Sequence, residues 1–271
     1  MKKIINMSFV LVLIFILTAC NTDNENDPLR VGMDLRYPPF ETVDTSNNPE
    51  GISVDIGLAF GEYLGREVTI VNTNFSSLIP ALEADTIDII IASMSITEKR
   101  EESVDFTDPY FYFKIISLVN KDFADENQLT SDSSIDDILA IENAKFVGLA
   151  TQVSATIPES YNKDVIEATD LGTAVESVAQ GSSDILLMSA NPVIDGYNAN
   201  MDDTMIIWDS FDSSPIGMAV KEGNSELLAK ANAFIDTFND DGGLYDELSE
   251  KWNETLLAQS DELGLDFYTN E

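Results

Sequence analysis

The chain has 271 residues, 44% of them hydrophobic, which is enough to bury one large core or two lobes. Against 49 acidic side chains stand only 14 lysines and arginines, a formal net charge of −35, so the surface repels nucleic acid and anionic lipid headgroups and neither is expected as a partner. Histidine is absent, which removes the commonest general base and the commonest neutral metal ligand; no metal and no other cofactor is expected.

Lys2 and Lys3 precede a run from Ile4 to Ala19 that only Asn6, Ser8 and Thr18 interrupt, and the run closes on Leu17, Thr18, Ala19 and Cys20. A basic start, an apolar stretch short for a membrane span and a small residue at the break describe an export signal over residues 1–19. The alternative is a transmembrane anchor with an incidental thiol. Cys20 is the single cysteine. Its setting resembles the lipobox of bacterial lipoproteins, which implies a diacylated (palmitate-type) Cys20 as the mature N-terminus and the chain's only hold on the cell membrane. With Cys20 so used, no disulfide is available. Residues 20–28, polar and unpatterned, read as a tether.

Order begins abruptly with a predicted strand over Leu29–Met33. A helix follows over Asp55–Leu64, where Ile56, Ala59, Phe60, Tyr63 and Leu64 share a face. Apolar runs at Val68–Val71 and Ile87–Ile91, with a helix around Leu78, Ala81 and Leu82 between them, complete a strand–helix alternation that implies parallel pairing. After a less regular stretch at 122–137 the alternation resumes. Phe146–Ala150, Val165–Ala168, Asp184–Met188 and Met205–Trp208 are candidate strands, and Leu171–Ala179 is a helix; together they read as a second α/β lobe. A strand over Ile216–Val220 precedes an amphipathic helix marked by Leu227, Leu228, Ala231, Phe234, Ile235 and Phe238. Gly242 and Gly243 stop it, and a last helix carries Leu244, Tyr245, Leu248, Trp252 and Leu256. The acidic end, 259–271, reads as a loosely held tail.

Chemistry concentrates between Ser93 and Tyr110. Ser95 and Glu98 have capping-box spacing, so a helix is expected to begin just after a strand ending near Ala92. Helix starts attract anions, Ser93 and Ser95 add hydroxyls, and Arg100 supplies a two-pronged fork that fits a carboxylate. An ordinary helix cap with a surface arginine accounts for the same residues.

This segment resembles the signature of the polar-amino-acid solute-binding family, bacterial extracellular solute-binding family 3, of the type II periplasmic-binding-protein fold. Gly32–Glu41 (GMDLRYPPFE), Gly51–Ile56 (GISVDI) and Asn74–Leu82 (NFSSLIPAL) carry the resemblance across the first lobe, and it thins toward residue 255. It implies an α/β fold of two lobes, 29–114 with 215–258 and 115–214, crossed near Tyr112–Ile116 and Ser213–Gly217. It also implies a monomeric binding protein, not an enzyme, that closes on a small ligand and passes it to the permease of an ABC transporter outside the cytoplasm. By the same resemblance Arg100 clamps the ligand carboxylate and Ser93 and Ser95, with Met94 between them, form the turn around it. Tyr37 and Phe75 sandwich the ligand side chain, and Asp34 reads its polar end.

The second lobe departs from the family pattern. Where a Gly-Thr pair is usual the run is Ala150–Ala155, in which Thr151, Gln152 and Ser154 are candidate donors, Ser154 as a helix N-cap. Where an acid usually pairs with the ligand ammonium stands Ser189, followed by Ala190 and Asn191, and a neutral hydroxyl or amide does not neutralise a buried ammonium. Either Asp34 or another carboxylate supplies that charge, or the ligand is not a standard α-amino acid. A ligand-sensing lipoprotein and a cyclohexadienyl dehydratase-like enzyme are the alternatives on the same fold.

Overall fold

The computed structural model describes residues 27–261 and 263–269; the export segment, Cys20 and the tether up to residue 26 lie outside the described residues. In the first half, β1 (Leu29–Met33) leads through the hairpin of β2 (Thr42–Val43) and β3 (Pro49–Glu50) into α1 (Ile52–Leu64). Then come β4 (Val68–Asn72), a 3-10 turn at Phe75–Ser77, α2 (Leu78–Glu83), β5 (Ile89–Ile90), the single turn α3 (Glu98–Glu101) and β6 (Val104–Phe106). β7 (Phe111–Asn120) enters a second sheet, followed by α4 (Lys121–Glu126), α5 (Ile135–Ala140), β8 (Phe146–Leu149), α6 (Val153–Ser160) and β9 (Val165–Ala168). α7 (Leu171–Ala179), β10 (Ile185–Ser189), α8 (Ala190–Ala199) and β11 (Thr204–Ile216) complete that half. β12 (Ala219–Lys221) returns to the first sheet, and α9 (Ser225–Ile235), α10 (Leu244–Gln259) and α11 (Asp266–Thr269) come last.

The first sheet has the order β4-β1-β5-β12-β6, with β1, β4 and β5 parallel as the strand–helix alternation requires and β12 antiparallel to both of its neighbours. The second has the order β11-β7-β10-β8-β9, in which β8 is parallel to β9 and β10 while β7 runs antiparallel to β10 and β11. The two sheets are joined by the paired starts and ends of long strands, Phe111 opposite Ile216 and Phe113 opposite Ser214. Asp55 on α1 accepts from Trp252 Nε1 (2.7 Å) and Lys251 Nζ (2.8 Å), which ties α10 to the first half of the chain.

Three elements differ from the sequence reading. The strand expected at Met205–Trp208 is there as the start of β11, but the one expected at Ile216–Val220 is split: β11 runs on to Ile216 through two irregularities in its pairing with β7, and β12 is a separate strand beginning at Ala219. The helix expected just after Ala92 starts later, at Glu98, and is one turn long. Its cap is Thr97, whose hydroxyl accepts the Arg100 N–H, because Ser95 pairs with Ile216 as a β-bridge and is extended. The acidic end is not a loose tail: α10 extends to Gln259, and Leu263, Leu265 and Tyr268 are all 1% exposed or less. Apolar side chains scattered among acids find a core there that composition alone does not reveal.

Two glycines mark where backbones meet. Gly51 opens α1 at φ 135°, and a Cβ there would lie 2.2 Å from the Phe40 carbonyl oxygen, so the loop that carries residues 37–41 is seated directly on the start of α1. At Gly148 in β8 an added Cβ would lie 2.5 Å from the Ser154 carbonyl oxygen on α6. Gly148→Ala is therefore expected to destabilise the fold by about 1–3 kcal/mol, the usual penalty for overpacking, seen as a lower denaturant midpoint at unchanged m-value.

Candidate functional site

The C-terminal ends of the parallel strands of both sheets face one pocket, the position where open α/β sheets characteristically bind ligands. The loop after β1 contributes Asp34, Arg36, Tyr37 and Glu41; the turn after β4 contributes Phe75; the turn after β5 contributes Ser93 and Ser95; α3 contributes Arg100. From the second half come Phe113 and Ile115 on β7, Leu149, Gln152 and Val153 after β8, Asp170 at the head of α7, and Met188 and Ser189 at the end of β10.

Arg100 spans the pocket. Its Nη1 donates to the Ser95 carbonyl (2.6 Å) and its Nη2 to the Thr151 carbonyl (2.8 Å), while the guanidinium carbon sits 5.1 Å from the centre of the Phe75 ring. Among the described residues no carboxylate forms an ion pair with it. Burial lowers its pKa to about 10, which still leaves the group charged at neutral pH. Ser93 (φ 49°) and Thr151 (φ 66°), on the two sides of this fork, hold left-handed backbone without being glycine, a strain of about 1–3 kcal/mol each that concentrates at ligand sites.

Tyr37 and Ser189 meet hydroxyl to hydroxyl, a second direct link between the walls. Asp34 is already engaged: Arg36 grips both of its oxygens at 2.7 Å, and the Phe75 N–H donates to it at 2.9 Å. It therefore has little charge to offer a ligand. Glu41 is different. It is 2% exposed and accepts from the Ser93 hydroxyl at 2.9 Å, and no cation pairs with it among the described residues. Burial raises its pKa to about 8, against the pull of hydrogen bonds from Ser53 and Ser93.

Of the residues singled out from the sequence, Asp34, Tyr37, Phe75, Ser93, Ser95, Arg100, Gln152 and Ser189 line this pocket, and four do not. Met94 is 1% exposed in the apolar cluster with Leu78 and Ile90, on the far side of its strand turn. Thr151 presents its carbonyl to Arg100 while the residue itself is exposed. Ser154 is no N-cap: α6 starts after Gln152, and the Ser154 hydroxyl accepts the Leu149 N–H at 3.0 Å. Asn191 is held by Gln259 and Tyr268. Arg36, Glu41 and Asp170 went unmarked in the sequence, although the first two lie inside a stretch that carries the family resemblance. Among the described residues no cluster of acidic or cysteine side chains is arranged to hold a metal ion.

A family model described as bacterial extracellular solute-binding proteins, family 3, matches residues 29–255. The chain belongs to this family. Proteins similar to it include the L-cystine-binding protein TcyJ of Escherichia coli (strain K12), 27% identical over 86% of this chain and 85% of that protein. The L-arginine-binding protein of Pseudomonas aeruginosa is 29% identical over 83% of this chain and 87% of its own length. Among solved structures, an ancestral arginine-binding protein bound to arginine superimposes with a TM-score of 0.72 at 29% identity, over 84% of this chain and 99% of that one. An ancestral amino acid-binding protein titled a precursor of cyclohexadienyl dehydratase gives 0.70 at 30% identity, over 83% and 95%. The type II fold and a substrate-binding role outside the cytoplasm follow from membership.

Proposed function

We propose that this chain captures a zwitterionic amino acid, or a close relative carrying both a carboxylate and a positive group, and hands it to the permease of an ABC importer. The observation that carries the reading is Arg100, a partly buried guanidinium at the meeting of the two pocket walls with no acid paired to it among the described residues. A ligand carboxylate supplies the missing countercharge. The positive group of the ligand meets Glu41, since Ser189 is neutral, Asp34 is committed to Arg36 and Asp170 to the cap of α7. This answers the missing second-lobe acid with a carboxylate from the first half. The names of relatives that bind arginine, cystine and histidine are consistent with such a ligand.

In this proposal residues 29–114 with 215–258 form one lobe and 115–214 the other. The strands at 112–116 and 213–217 act together as the hinge, and ligand favours closure because it touches both walls. Cys20 carries the lipid that keeps the monomer at the membrane. Binding is preferred over turnover because the similar proteins are named for what they bind, and the acid that the second half places in the pocket, Asp170, caps α7, where the Thr173 N–H and hydroxyl hold its pKa below the usual value.

Calorimetric titration with a panel of amino acids and their amino-free analogues tests the ligand class. Heat is expected only from molecules that carry both charges; binding of the amino-free acids alone overturns it. Mass spectrometry of ligand released from the purified protein then names the molecule.

A further inference from the structure

The family match ends at residue 255, yet the chain beyond it is built into the molecule. Gln259, at the end of α10, reaches three residues of α8: its Nε2 donates to Asp195 (3.0 Å), its Oε1 accepts from Asn191 (2.7 Å), and its carbonyl accepts from Asn198 (3.3 Å). The chain then turns back, with the Leu265 N–H donating to Asn253 Oδ1 at 2.7 Å, and α11 packs on β7.

Tyr268 completes the structure. It is fully buried, its hydroxyl donates to Asn191 Oδ1, and its ring lies 5.3 Å from Phe40 and 5.4 Å from Phe113, centre to centre. Phe40 belongs to the loop that holds Tyr37 and Glu41 in the pocket, and Asn191 stands two residues after Ser189 on the opposite wall. One side chain thus touches the backing of both walls.

We propose that residues 256–261 and 263–269 are a latch that holds the Ser189 wall against the Tyr37–Glu41 wall, with Tyr268 and Gln259 as positioning residues that set how readily the pocket opens. The aromatic contacts fix the first wall and the amide and hydroxyl contacts fix the second, so loss of the segment frees both at once. A segment that merely covered apolar surface would need no polar grip on α8. The effect on ligand retention rests on the binding role proposed above; the effect on opening does not.

Hydrogen exchange of the full chain without added ligand separates the two. In Tyr268→Ala, the amides of Tyr37, Phe40 and Glu41 and of the non-proline residues in 189–195 are expected to exchange about ten-fold faster together, while those of β1 and β5 keep their protection. Faster exchange confined to residues beyond 255 overturns the latch. If Tyr268→Ala loosens the whole molecule, Gln259→Ala decides, because it leaves the aromatic packing intact: faster exchange at 189–195 supports the latch, and an unchanged wall overturns it. With any amino acid that the wild type binds, both variants are expected to release it about ten-fold faster at little-changed association rate. If the wild type binds none, the binding role fails while the exchange result still stands.

Discussion

Arg100→Ala is expected to weaken ligand binding by about 2–5 kcal/mol, a loss of roughly thirty-fold to several-thousand-fold in Kd. The guanidinium has already lost part of its water and among the described residues meets two carbonyls and the Phe75 ring but no carboxylate, so the ligand carboxylate is its full countercharge. Truncation strands that carboxylate in a desolvated pocket. Arg100→Lys is expected to recover only part of the loss, because an ammonium does not reproduce the fork between the Ser95 and Thr151 carbonyls while also meeting a carboxylate. Calorimetry on the ligand found by mass spectrometry measures both variants, with circular dichroism confirming the fold. A loss under about threefold for the alanine variant, far below the range for a buried pair, removes Arg100 from the site.

Glu41→Gln is expected to cost a comparable 2–5 kcal/mol or so, and to do it with a pH signature. With a pKa of about 8 the empty pocket keeps Glu41 protonated at pH 7, and pairing with a cationic group requires that proton to leave. Binding to the wild type therefore releases close to one proton near neutrality, and affinity rises with pH until Glu41 ionises unaided. The phenols near it do not blur this window: Tyr37 and Tyr110 are both pushed further above their usual range by burial. Titration in buffers of different ionisation enthalpy counts the proton. The glutamine variant is expected to release none and to bind with flat pH dependence between about 6 and 9, the span around the wild-type value. An unchanged proton count in that variant overturns the assignment.

The same residue fixes a sign for stability. Unfolded, its carboxyl titrates near 4.5; folded, near 8, so between those values the native state holds a proton that the unfolded chain has lost. Stability then falls as pH rises across that window and levels off above it. Glu41→Gln is expected to remove this part of the slope in denaturant titrations, and an identical slope in the variant contradicts the burial described for the wild type.

The fold was legible because its signals are local. Strand–helix alternation from Leu29 to Ile90 carries parallel pairing with it, and the turns after such strands are where polar residues gather, which brings Ser93, Ser95 and Gln152 into one pocket with no geometry assumed. What stayed hidden depends on tertiary closure. Glu41 looks like any loop acid until Phe40 and the start of α1 fold over it, and Arg36 looks like a solvated cation until it turns onto Asp34. The cap moved from Ser95 to Thr97 because Ser95 is claimed by a long-range bridge to Ile216, a competitor that spacing within the segment does not display. At Leu263, Leu265 and Tyr268 the apolar residues follow neither a helical nor a strand period, so acidity masked their burial.

The slot taken by β12 imposes an order of assembly. That strand lies between β5 and β6 and is, among the described residues, the only partner through which β6 joins its sheet, yet the ribosome makes it after the whole of the second sheet. Until then the early half of the chain has an open seam between β5 and β6, so the first sheet closes only once the strands of the second have been made.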